Sequence, residues 1–184
     1  MFKIEDIDLE INSAAIEAFI NDDENIMEWG IEINAHSINR DDIKWKVKLS
    51  AESLLKTKEN QLSTWKDIAG LDFHWTEGIE DENEHALMYI FQHEPIYNSK
   101  GIFYLNDEGK VCIKWNGKCD IYWNTNYDKG LDFIIDTPVE FKGVWFGKEI
   151  EPICKKSLSA YITHDSFNYV TERNVSLLKP TQKN

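Results

Sequence analysis

Cysteine and proline are scarce in this 184-residue chain, at three and four residues. Cys112, Cys119 and Cys154 include no Cys-x-x-Cys pair and stand in no His-Cys cluster. An odd set without such spacing argues against a disulfide framework or a structural zinc site. It fits small buried hydrophobes in a reducing compartment. Long apolar runs are missing too. The longest, ALMYIF at Ala86–Phe91, falls far short of the roughly 20 residues a membrane helix needs. The start, MFKIEDIDLE, has neither the basic nor the apolar region of a secretory signal. We therefore expect a soluble cytoplasmic protein.

Basic residues are outnumbered, 20 Lys and Arg against 33 Asp and Glu, for a net charge of −13. Nucleic acid and anionic membrane both reward Lys and Arg, so neither is an expected partner. The acidity is uneven. Residues 1–43 hold twelve Asp and Glu against Lys3 and Arg40, and residues 67–99 hold eight against none. The chain also lacks a Gly-rich phosphate loop, a Gly-x-Ser-x-Gly elbow and a His-Glu-x-x-His pair. That leans away from an enzyme, and no cofactor is expected.

What is present is mostly strand pattern. In MEWGIEINA, Met27, Trp29, Ile31, Ile33 and Ala35 alternate with polar residues or glycine, the period of a half-buried strand. IKWKVKL, Ile43 to Leu49, repeats it with three lysines on the other face. If the two strands pair, Glu28 and Glu32 face those lysines. Leu54–Lys66 is rich in helix formers and predicts a helix. ALMYIF, followed by Pro95, predicts a strand. From Ile102 to Phe146, short alternating runs broken by turn residues predict an antiparallel meander of about five strands. Its strongest turn signal is Asn116-Gly117, between KVCIKW and KCDIYW, which predicts a two-residue hairpin. In that register Cys112 and Cys119 are diagonal neighbours about 7–8 Å apart, beyond disulfide reach. Pro138 belongs at a strand start or edge. Pro152, then Cys154, Leu158, Tyr161 and Ile162 on one stripe, predict a helix near the C-terminus. The sum is an α+β domain over residues 1–179. It is mainly antiparallel sheet with two or three helices, and residues 180–184 form a frayed tail.

Candidate sites follow from charge and aromatics. Asp22, Asp23 and Glu24, with Glu80, Asp81, Glu82 and Glu84, are the densest acidic runs. They suit docking to a basic protein, since complementary charge speeds encounter and selects partners. A small acidic protein of this kind has the size and charge of an immunity protein that neutralises a nuclease-type toxin. The alternative is a small-molecule or carbohydrate site, with Trp75, Trp123 and Trp145 lining a sheet cavity and a carboxylate pair for hydrolysis. Asp136 or Asp120 with Glu140 and Lys142 has the composition of a metal-dependent nuclease set, but also of any outward strand face. His74, His85 and His93 fit solvent-exposed strand ends, not metal ligands. No metal site is expected.

Overall fold

Period-two alternation becomes strand along most of the chain. The computed structural model describes residues 1–40, 42–76, 86–121, 130–172 and 174–181. In chain order the strands are β1 (Phe2–Ile4), β2 (Ile7–Leu9), β3 (Ile11–Asn21), β4 (Ile26–Ala35), β5 (Ile38–Arg40), β6 (Ile43–Trp45), β7 (Lys48–Lys58) and β8 (Asp72–Trp75). They continue with β9 (Leu87–Tyr89), β10 (His93–Pro95), β11 (Tyr97–Leu105), β12 (Val111–Cys119), β13 (Leu131–Pro138), β14 (Glu140–Phe146), β15 (Phe167–Glu172) and β16 (Val175–Pro180). One helix, α1, spans Glu151–Ser159, and a 3-10 turn spans Trp65–Ile68. No helix among the described residues is long and apolar enough to cross a membrane.

The strands form two main sheets. The smaller runs β2-β1-β13-β12-β11-β8 and is antiparallel throughout. The larger runs β10-β9-β7-β4-β3-β14-β16-β15 and is mixed, because β14 lies parallel to β3. β5 and β6 make a separate ribbon. Phe2, Ile4, Phe103, Trp115 and Ile135 of the smaller sheet join Ile16, Met27, Trp29, Ile33 and Leu49 of the larger in one buried cluster. Each such side chain contributes about 1.5–3 kcal/mol when fully buried.

The expected strand at Met27–Ala35 is β4, with Met27, Trp29, Ile31 and Ile33 all buried. Its expected partner starts later. β6 stops at Trp45, and the pairing falls to β7, with Ile33 opposite Leu49 and Asn34 opposite Lys48. Lys48 reaches Glu32 at 2.5 Å. Ala86–Phe91 contributes the short strand β9. The C-terminal helix forms with Cys154 and Leu158 of its stripe buried, but it ends at Ser159, so Tyr161 and Ile162 are buried beyond it and Ile162 bridges to Leu62 instead.

Three expectations are corrected. First, Leu54–Lys66 is not a helix. Residues up to Lys58 belong to β7, and only the 3-10 turn is helical, so the described residues hold one helix where two or three were expected. Local propensity loses to a tertiary need, because β4 is central and requires a second neighbour. Thr57 shows the gain. It is fully buried, its hydroxyl accepts from Trp29 Nε1 at 3.0 Å and donates to the Met27 carbonyl.

Second, Asn116-Gly117 is not a hairpin turn but the interior of β12. Gly117 lies opposite Phe133, whose ring covers it. A Cβ there would stand 2.9 Å from Phe133 Cε1 and 3.1 Å from Ser99 Oγ. The glycine serves close packing, not a left-handed turn. Cys112 and Cys119 therefore sit seven residues apart on opposite faces of one strand. They and Cys154 are free and buried, and burial pushes the Cys119 thiol up to about 12.

Third, the meander holds three described strands, β11-β12-β13, rather than about five. Pro138 closes β13, and the chain then changes sheets so that β14 pairs with β3 and β16. The C-terminal end is also held further than expected. Pro180 ends β16, and the Thr181 N–H donates to the Ser166 carbonyl at 2.8 Å.

Candidate functional site

The β3–β4 hairpin and its neighbours build an acidic face on the outer side of the larger sheet. Asp22, Asp23 and Glu24 form the exposed hairpin tip, closed by Asn25 at φ +54°. Asn21 braces the tip: its side-chain Oδ1 accepts from the Glu24 N–H at 3.3 Å and its Nδ2 donates to Glu28 at 2.9 Å. Register places further carboxylates behind the tip. Ala15 lies opposite Glu32, Glu17 opposite Gly30, and Phe19 opposite Glu28. Exposed Glu52 follows on β7. Seven carboxylates thus meet Lys48, Lys56 and Lys58 on one face. Two aromatic side chains lie among them. Phe19 is 37% exposed, and Trp145, its neighbour on β14, donates from Nε1 to Glu17 at 2.6 Å.

Two of these carboxylates, Glu32 and Glu28, are held below the ordinary carboxylate range. Hydrogen bonds from Lys48 and Asn34 keep Glu32 below its ordinary range. Burial pushes the Glu28 carboxyl up, but the Ser53 hydroxyl, the Asn21 amide and the Lys56 charge outweigh it, so Glu28 also lies low. A lowered folded-state pKa stabilises the fold above the ordinary value of 4.5 and loses that contribution as pH falls through it. Glu28→Gln should therefore flatten the loss of stability between about pH 5 and about pH 3. Urea midpoints across that range check it, and curves parallel to wild type would count against it.

The remaining predicted residues fall elsewhere. Glu80, Asp81, Glu82, Glu84, His85 and Trp123 lie outside the described residues. Trp75 is on the inner side of the smaller sheet, stacked on Phe73 and donating from Nε1 to the Ile96 carbonyl at 2.8 Å. Trp145 faces outward on the larger sheet, so these two tryptophans do not line one cavity. Asp136 accepts from Tyr104 at 2.6 Å and Asp120 from Tyr97 at 2.8 Å, both on the smaller sheet. Glu140 stands on the larger sheet opposite Ala15, bonded to Lys142. His74 and His93 are exposed and belong to different sheets.

A second feature was not legible in the sequence. A cleft of about 690 Å³ opens where the 3-10 turn and the sheet crossover at Val139 meet the end of β16. Its floor is Trp65 stacked on Phe141, with centroids 5.0 Å apart. Lys66 reaches it from the 3-10 turn, Lys110 from the β11–β12 connection, Lys142 from β14 and Lys179 from β16. Trp65 and Lys179 are 114 positions apart, so no local pattern announces the grouping.

No protein-family model, curated protein or solved structure matches this chain. Fold alone does not assign function, so the side chains must carry the argument.

Proposed function

We propose that this is a non-catalytic binding protein whose acidic sheet face docks a basic protein, such as a nuclease-type toxin domain, and inhibits it by covering its cationic surface. One observation carries the proposal: Glu17, Glu32, Glu52 and the buried Glu28, with the Asp22–Glu24 tip, share one sheet face with Phe19 and Trp145. Carboxylates alone are the ordinary coat of a soluble protein. An exposed Phe19 beside a half-buried Trp145 among them is not, because interfaces concentrate aromatic anchors and ring them with polar groups. Charge would steer the encounter and the rings would hold the complex. The Glu17 bond to the Trp145 indole fixes one ring in place, which lowers the ordering cost of binding.

The test is capture of a partner from the organism's own lysate, then titration of the purified partner. We expect a single basic protein, released as salt rises. Glu17→Lys/Glu24→Lys/Glu32→Lys should weaken it about tenfold or more. Asp8→Lys and Asp107→Lys, away from the face, should leave affinity near wild type. A partner indifferent to the triple variant, or none at low salt, would overturn the proposal.

A further inference from the structure

The floor and rim of the Trp65–Phe141 cleft carry an inference that does not depend on the docking reading. We infer that the cleft binds a small organic anion with a flat aromatic body. Its volume of about 690 Å³ falls in the range of small-molecule sites. The floor is rigid: Phe141 is 5% exposed and packs on Trp29 at 5.4 Å and edge-on to Phe167 at 6.4 Å. The Trp65 N–H donates to Asp165 Oδ2 at 2.6 Å, which fixes the ring's backbone and engages that carboxylate. A ligand ring laid against this stack gains the aromatic contact, about 0.5–1.5 kcal/mol beyond area burial.

The rim supplies the charge selection. In a chain of net charge −13, four lysines converge on one concavity. Lys66 Nζ donates to the Gly109 carbonyl at 2.9 Å, using one of its three N–H groups. Lys110 pairs with Glu108 at 2.7 Å, Lys142 with Glu140 at 2.5 Å, and Lys179 with Glu172. These pairs are exposed, with the Lys110 side chain at 63% and Lys142 at 46%. Exposed ion pairs are worth about 0–1 kcal/mol, so an incoming carboxylate or phosphate displaces or shares them at little cost. Inside the cleft the same amines bond an anion partly shielded from water, where charge-assisted bonds are stronger. A neutral ring would find the floor but gain nothing from the rim.

The experiment titrates the full chain with 2-naphthoate and, separately, adenosine 5′-monophosphate. Tryptophan fluorescence and the thermal midpoint report binding. Naphthalene-2-methanol and adenosine are the uncharged counterparts. We expect at least one anion to saturate at one per chain and its neutral counterpart to bind at least about tenfold more weakly. Which anion saturates separates a carboxylate ligand from a phosphate one. Lys110→Met/Lys142→Met should weaken the anion by about tenfold with an unchanged urea midpoint. Neither anion saturating below about 10 mM, equal binding of the neutral counterparts, or indifference to the lysine variant would each overturn the inference.

Discussion

Trp115→Ala should be the most damaging single truncation on the smaller sheet, at about 4–6 kcal/mol. Trp115 is fully buried on β12. Its ring meets Phe73 at 5.3 Å, Phe133 at 5.9 Å and Trp75 at 6.0 Å, each edge-on. Removing it forfeits the transfer energy and leaves a cavity walled by three rings from two strands, β8 and β13, a loss of about 3–5 kcal/mol. The indole N–H also donates to Ser99 Oγ at 2.6 Å, and Ser99 is itself buried. Truncation strands that hydroxyl, adding about 1 kcal/mol or more. Domains of this size are stable by roughly 5–15 kcal/mol, so the variant would lie near the edge of folding. Trp115→Phe keeps most of the packing and should lose about 1–3 kcal/mol. Urea denaturation of both variants decides it. Trp115→Ala within about 1 kcal/mol of wild type would mean that the cluster collapses to fill the gap.

Gly143→Ala should cost about 3 kcal/mol or more. Gly143 has φ +128°, a region open to glycine and strained for any L side chain. It sits at the irregularity of β14 between Phe141 and Gly143, with β3 on one side and β16 on the other. An added Cβ would stand 2.4 Å from the Leu178 carbonyl oxygen and 2.9 Å from Leu177 Cδ1. A backbone oxygen held in a ladder cannot swing aside, so β14 and β16 must part. Amide exchange should therefore quicken at Leu177 and Leu178 before the rest of the sheet. Gly109 is the control. Its φ is +69°, but no atom lies within 4 Å of an added Cβ, so Gly109→Ala should cost only about 1 kcal/mol from backbone strain. Equal losses at the two glycines would show that conformation alone, and not the wall at Leu178, sets the cost.

The same physics separates what was legible in the sequence from what was not. Trp29, Ile31 and Ile33 disclosed β4, and Cys154 and Leu158 disclosed α1, because the facing of one element is written in its own spacing. The Asp22–Glu24 run was legible as an acidic turn. Its surroundings were not, because Glu17, Glu28 and Glu32 become neighbours only through the β3–β4 register, and Trp145 joins them from β14, more than a hundred residues away. The cleft is further still from local pattern, because Trp65 falls in a stretch of helix formers and Phe141 in a strand of the meander, with nothing local to bring them together.

By itself, then, the sequence determined the acidic, strand-dominated character of the protein, most of its apolar faces and its one C-terminal helix. Those properties depend on residues within a few positions of each other. Tertiary structure decided that Leu54 to Lys58 extend a strand, that Asn116-Gly117 runs straight through β12, and that the chain changes sheets after Pro138. In each case a distant group outweighed the local preference: the open edge of β4, the Phe133 ring over Gly117, and the β3 edge that accepts β14 in parallel. Local propensities are worth fractions of a kcal/mol per residue, whereas a buried ring or a paired central strand is worth several, so where they disagree the distant contact prevails.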